Sequence, residues 1–215
     1  MINYGAFAQD HWSITPKLTL DLGIRYDFEQ LPVVFNRDTN NFSPRVGLAY
    51  QILPSWVMRA GYGLFYDRYV LASLNRVLQK NGAQAFEHVL DGGAAASVFQ
   101  NAQRGSLQSP IEDLQPSVYR ADARLATPYS QQASFGLEHQ IARDLTATAS
   151  YLFVQGVKLS RTRNINLLPS ESAVFGPARM NPLFNGIYQL ENSAHSTYQG
   201  VSLAVNRRIS NELEF

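Results

Sequence analysis

Residues 18–28 read Leu18-Thr19-Leu20-Asp21-Leu22-Gly23-Ile24-Arg25-Tyr26-Asp27-Phe28. Leu18, Leu20, Leu22, Ile24, Tyr26 and Phe28 share one parity, and Thr19, Asp21, Gly23, Arg25 and Asp27 share the other. Successive strand side chains point to opposite faces, so this alternation predicts a strand with one apolar and one polar face. Strands of soluble sheets run to about five or six residues. A strand that crosses a bilayer needs roughly 9–11 and alternates apolar-out, polar-in, which fits this stretch better. A long half-buried strand of a soluble sheet is the competing reading, and the rest of the chain decides between them.

The 215 residues suffice for one sizeable domain, and 18 Lys+Arg against 17 Asp+Glu leave a formal charge of +1. That balance gives no reason to expect a nucleic-acid partner. Charged residues make up only 16% of the chain, below the roughly 25% of soluble domains, while aromatics reach 12%. Such a composition suits a surface that meets lipid. No apolar run reaches about 18 residues, which excludes a transmembrane helix but not a barrel. Alternating strands keep the mean hydropathy modest, here −0.19. The absence of Cys removes disulfide scaffolds and thiolate metal sites. The start, MINYGAFAQDHW, has no basic segment followed by an apolar one, so no signal peptide is expected. The chain is therefore either not exported or an internal piece of a longer one.

The same alternation predicts strands at Tyr4 to Trp12, Phe42 to Tyr50, Trp56 to Tyr66, Tyr129 to Glu138, Leu145 to Phe153 and Tyr198 to Arg208, with an eighth cut short at Phe215. The strand from Leu145 fades near Gly156. Short turns are expected at Ser13 to Lys17, Leu53 to Ser55, Ile141 to Asp144 and Ser210-Asn211. Long connections cover 29–40, 67–127 and 160–196. In the second of these, Val70, Leu71, Leu74, Val77 and Leu78 fall on one face of a predicted helix, with Asp67 as the expected cap and Gly82 as the stop. The remainder, Asp91 to Pro128, is expected to be irregular.

Short and long connections alternate along the chain, so an up-and-down sheet gathers the short turns at one end and the long loops at the other. Outer-membrane barrels have that asymmetry, with short periplasmic turns and long extracellular loops. The expected fold class is thus all-β: about seven or eight antiparallel, up-and-down transmembrane strands of a larger barrel. Trp12, Tyr50 and Trp56 would then lie at the turn end, and Tyr26, Phe28, Tyr66 and Tyr129 at the loop end, as two aromatic girdles. Leu20, Leu22 and Ile24 would face lipid. The expected lumen-facing residues are Asp21, Arg25, Asp27, Arg45, Arg59, Glu138 and Arg207, as ligand or plug contacts or, by preference, as salt-bridge ladders between neighbouring strands.

The stretch FAQDHWSITPKLTLDLGIRYDF, Phe7 to Phe28, resembles the barrel segment of TonB-dependent outer-membrane receptors in which an aromatic-x-Gln-Asp strand meets a Leu-Thr-Leu-x-x-Gly-x-Arg-Tyr-Asp strand. NFSPRVGLAY (Asn41 to Tyr50) is similar to the next strand of those barrels. YLFVQGVKL (Tyr151 to Leu159) and TYQGVSLAVNRRIS (Thr197 to Ser210) resemble later strands of the Oar-like receptors, which carry a carboxypeptidase-regulatory-like domain. The resemblance implies a barrel of roughly 22 strands with a plug in its lumen. It also implies uptake of a small ligand, energised through a TonB-type partner that touches a box ahead of the plug. The signal peptide, box, plug and remaining strands are not in this sequence, so the expectation is a barrel fragment whose partners are outer-membrane lipid, a plug and those strands.

His11, His88, His139 and His195 show no metal-ligand spacing, and no cofactor is expected. Gly61-Tyr62-Gly63 has no third Gly at position 66 and lies in a predicted strand, so it reads as small wall residues and not as a dinucleotide fingerprint. There is no Gly-x-Ser-x-Gly, paired acid/base or phosphate-loop motif, and no enzyme is expected. Two rivals to a transporter remain: a structural or adhesive outer-membrane barrel, and a soluble β protein with a ligand cleft.

Overall fold

The computed structural model describes residues 1–90, 92–103, 115–168, 179–210 and 213–214. In chain order its elements are β1 (Ile2–Thr15), β2 (Leu18–Gln30), β3 (Phe42–Leu53), β4 (Trp56–Tyr66), α1 (Leu71–Gln79), α2 (Gly92–Gln103), β5 (Ser117–Ala121), β6 (Tyr129–Ala142), β7 (Leu145–Asn164), β8 (Gly186–Ser210) and β9 (Leu213–Glu214). The sheet order is β1-β2-β3-β4-β6-β7-β8-β5, with β9 on β8. The chain divides into two compact units, residues 1–68, 126–159 and 192–215 in the first and 69–125 and 160–191 in the second.

The first unit is the predicted meander. β1 to β4, β6 and β7 pair antiparallel in succession, with Leu20 opposite Trp12 and Leu48, and Ala60 opposite Leu48 and Phe135. Turns at Pro16-Lys17, Pro54-Ser55 and Arg143-Asp144 close three hairpins. The Lys17 amide donates to Thr15 Oγ1 at 3.2 Å, and Gln51 Nε2 donates to the Pro54 carbonyl at 3.2 Å, which fixes the first two of these turns. Each expected strand is present; β4 keeps its expected bounds and the others extend at one or both ends. The eighth appears as the short β9 on Arg208–Ser210; Asn211 and Phe215 lie outside the described residues.

β7 and β8 depart most from expectation. β7 continues past Gly156 to Asn164, and β8 begins at Gly186, not at Tyr198, so the connection expected over 160–196 narrows to 165–185. These added segments carry polar side chains on both parities and show no period of two. Side-chain bonds hold them instead: Arg163 Nε and Nη2 each donate to Glu191 at 3.0 Å, and Arg161 Nε donates to it at 3.1 Å.

In the second unit the stretch from Asp91 to Pro128 is not irregular throughout, since α2 and β5 lie within it. β5 pairs parallel with Gly186–Leu190, a contact that local pattern cannot announce. α1 forms where expected but begins at Leu71, with Val70 and not Asp67 at its N-cap and no side-chain cap bond; Asp67 Oδ1 accepts from the Arg68 amide at 2.7 Å instead. Gly82, at φ +85°, adopts the left-handed turn that follows the helix. Leu74 and Val77 are buried, whereas Val70 and Leu71 stay exposed, so the buried stripe is narrower than predicted.

Among the described residues, the buried apolar side chains of Tyr69, Leu74, Val77, Tyr119, Leu125 and Leu190 belong to the second unit and that of Phe35 to the first. The first unit therefore encloses almost no protein core. Its large apolar side chains, among them Leu22, Ile24, Val46, Tyr62, Phe135 and Tyr151, stand exposed. A contiguous apolar surface of this kind is not left in water by a monomeric soluble protein.

Candidate functional site

Register assigns the faces of the first unit directly, because residues paired across strands share a face. Asp21 is opposite His11 and Gly47, Arg25 opposite Phe7 and Ser43, and Asp27 opposite Gly5. Arg45 pairs with Gly63, Arg59 with Ala49 and Gly136, and Glu138 with Val57 and Thr148. Six of the seven candidate polar residues thus lie on one face. Arg207 does not join them by parity: it shares the parity of Val201, Leu203 and Val205, and its Nε donates to Asp144 Oδ2 at 3.1 Å beside the β6–β7 turn.

Among the described residues the polar face forms one hydrogen-bonded side-chain pair between neighbouring strands, His11 with Asp21, and not a ladder. Arg25 lies along its own strand, donating through Nε and Nη2 to both Asp27 oxygens at 2.7 Å. Gly5 opens that space, since a Cβ there would stand 2.9 Å from Arg25 Nη2. His11 Nδ1 and Asp21 Oδ1 are 2.6 Å apart across β1 and β2. The Arg45 guanidinium lies 4.5 Å above the Phe65 ring, over Gly63, where a Cβ would meet that ring at 2.9 Å. Among the described residues no ion pair joins Arg59 to Glu138.

At the long-loop end, Arg25, Asp27, Asn41, Ser43, Arg45, Phe65, Asp67, Arg68 and Thr127, together with Tyr4, Phe28 and Tyr66 of the aromatic tier, line a cavity of about 280 Å³. Asn41 and Ser43 are each 1% exposed. Asn41 Nδ2 donates to Thr127 Oγ1 at 3.2 Å, the Thr127 amide donates to Asp38 Oδ2 at 2.8 Å, and among the described residues Asn41 Oδ1 meets no donor. The cavity therefore offers guanidinium donors, carboxylates and one buried acceptor. Sequence reading found Arg25, Asp27 and Arg45 by alternation but missed Asn41, Ser43 and Thr127. Ser43 shares the parity of Arg45 and was recoverable; the Asn41–Thr127 contact spans 86 positions and was not.

The opposite face is apolar. Leu20, Leu22, Ile24, Pro44, Val46, Leu48, Met58, Ala60, Ala133 and Leu137 form its middle. At the turn end stand Trp12, Tyr50 and Trp56, the last stacked on His139 at 4.0 Å. At the loop end Tyr26 meets Phe42 at 4.9 Å, Tyr4 meets Phe28 at 6.0 Å and Tyr66 meets Tyr129 at 5.4 Å. Asp10 breaks the pattern in β1, opposite Leu22 and two residues from Trp12.

The second unit holds a separate polar cluster. Glu87 accepts hydrogen bonds from Lys80 Nζ and from the Tyr119 hydroxyl, and Tyr119 stacks on Tyr188 at 5.0 Å. The bonds from Lys80 and Tyr119 hold the Glu87 carboxyl below its ordinary range, while burial and the bond to Glu87 push the Tyr119 phenol up to about 12. Glu87 thus contributes stability present above its ordinary value of 4.5 and lost as pH falls through its depressed one. The Tyr119 contribution is complete below pH about 10 and lost as pH rises toward 12. Amide protection across Lys80 to Phe86, relative to the intrinsic exchange rate at each pH, is expected to be highest between those limits; flat protection through both would refute the coupling.

A paired antiparallel sheet, aliphatic between two aromatic tiers on one face and polar on the other, defines a transmembrane β-barrel wall. The model of the outer membrane beta barrel domain matches residues 1–37 and 32–215, and the chain belongs to that family. It is a protein of the bacterial outer membrane. Among solved structures, the ferric enterobactin receptor PfeA of Pseudomonas aeruginosa, in complex with enterobactin, aligns at 17% identity and TM-score 0.61 over 99% of this chain and 25% of its own. The siderophore receptor PirA of Acinetobacter baumannii aligns at 13% identity and TM-score 0.60, over 97% of this chain and 26% of its own. The outer membrane transporter YddB of Escherichia coli aligns at 19% identity and TM-score 0.61, over 95% of this chain and 21% of its own. The chain spans about a quarter of the length of the receptors it resembles. No curated protein matches it.

Proposed function

We propose that the chain forms part of the barrel wall of a TonB-dependent receptor that takes up a ligand across the outer membrane with energy from a TonB-type transducer. In this reading the apolar face meets lipid, the polar face meets a lumen, and the short turns are periplasmic. The observation that carries it is the cavity around Arg25, Asp27 and Arg45, a polar recess with a buried acceptor on the face turned away from lipid. It is built to touch a ligand or a plug, because fixed donors and acceptors on rigid strands cost little to hold in place. The receptor structures it resembles include one in complex with enterobactin, which supports a small ligand as cargo.

The test is uptake by the full receptor chain in cells. Arg25→Ala leaves Asp27 without its partner and removes a donor from the recess, and is expected to lower uptake at least about tenfold, the loss of a charge-assisted hydrogen bond. Outer-membrane level and heat-modifiable mobility should be unchanged. Undiminished uptake would remove the recess from the transport path. Uptake absent from the wild type as well would favour a structural or adhesive barrel.

A further inference from the structure

Lys158 in β7 has φ +54° and is the only non-glycine residue in the left-handed region among the described residues. An L side chain stays there only where its surroundings hold it, and such positions concentrate at functional sites. Here the holder is Asn192. Its Nδ2 donates to the Lys158 carbonyl at 2.7 Å, and its Oδ1 accepts from the Ala126 amide at 2.8 Å, tying β8 to both segments.

The consequence is a change of face. Val157 is the register partner of Tyr129, so simple alternation would send Lys158 to the polar face. Instead its Nζ stands 6.0 Å from the centroid of the Tyr129 ring, on the apolar side. Local irregularity of a strand re-aims a side chain in this way. Tyr129 and Tyr66 belong to the loop-end aromatic tier, the level at which headgroups lie. Lys158 is exposed, and among the described residues no carboxylate comes within ion-pair distance of it.

We propose that Lys158, held over the ring of Tyr129, is a docking point for the anionic phosphate of a lipid headgroup. A compact ammonium is a point charge suited to phosphate, and on the face away from the polar recess the headgroup is the anion at that depth. The proposal rests on the reading that the apolar face meets lipid. Either leaflet would supply the phosphate, so it does not depend on which end is extracellular.

The experiment reconstitutes the full chain into phosphatidylcholine vesicles containing dilute phosphatidic acid and counts the lipids retained by native mass spectrometry. Lys158→Asn keeps a residue that tolerates left-handed φ and removes the charge. It is expected to lower phosphatidic acid enrichment about fivefold, the effect of one cation at a membrane surface. Lys158→Arg should keep the enrichment, and added inorganic phosphate should leave it intact. Equal enrichment in the wild type and Lys158→Asn, both inserted, would overturn the proposal, as would displacement by inorganic phosphate, which marks a free-anion site. Failure of the wild type to insert would instead sink the lipid-face reading. Should Lys158→Asn alone fail to insert, Lys158→Gly, which carries no strain at that φ, gives the same reading.

Discussion

Val46→Arg is expected to destabilise the membrane-inserted sheet by about 2–4 kcal/mol, the cost of a guanidinium on the lipid side near the midplane. Val46 sits between Leu22 and Tyr62 in the middle of the apolar face, midway along β3 between Phe42 and Tyr50, and is 40% exposed. Ser134→Arg is the control on the opposite face. Ser134 lies opposite Gly61, is exposed, and should tolerate the change within about 0.5 kcal/mol. Urea unfolding in vesicles, followed by the fluorescence of Trp12 and Trp56, reads both. Equal tolerance of the two arginines would mean that the apolar face does not meet lipid. In plain buffer the same physics predicts aggregation, because an exposed apolar face without a covering layer self-associates.

Asn166→Ala is expected to loosen the β7–β8 connection by about 2–4 kcal/mol. Asn166 is 0% exposed, and its amide does the work of a short stretch of secondary structure. Nδ2 donates to the Asn181 carbonyl at 3.0 Å and to the Phe184 carbonyl at 2.6 Å, while Oδ1 accepts from the Asn181 amide at 2.7 Å. Truncation leaves three backbone groups without their partner. Asn166→Asp does not rescue, since a carboxylate oxygen would then face two carbonyls. Hydrogen exchange at Asn181 and Ile187 is the measurement; protection unchanged from the wild type would show that other contacts organise the connection.

How far the sequence could be read follows from the range of each interaction. β4 begins and ends where alternation placed it, at Trp56 and Tyr66, because lipid on one side and polar surroundings on the other impose a period of two. Beyond Gly156 that constraint lapses, and with it the signal, although β7 continues to Asn164 on pairing and on the arginine bonds to Glu191. β5 was invisible because its partner, Gly186–Leu190, lies some 70 residues away and the two pair in parallel. The Asp67 cap failed because the helix begins farther along the chain, at Leu71, with Val70 at its N-cap.

By itself, then, the sequence determined the strands of the first unit, their two faces and the two aromatic tiers, since each is written residue by residue in a period-two pattern. Tertiary structure alone decided what the polar residues do with that face. Arg25 turns to Asp27 because Gly5 leaves room across the strand, and Asn41 and Thr127 meet over a long loop. Lys158 leaves the face its parity assigns because Asn192 holds its backbone in the left-handed region. Alternation is a property of one strand, whereas partners depend on which strands are brought together, and that is settled only when the whole sheet closes its hydrogen bonds.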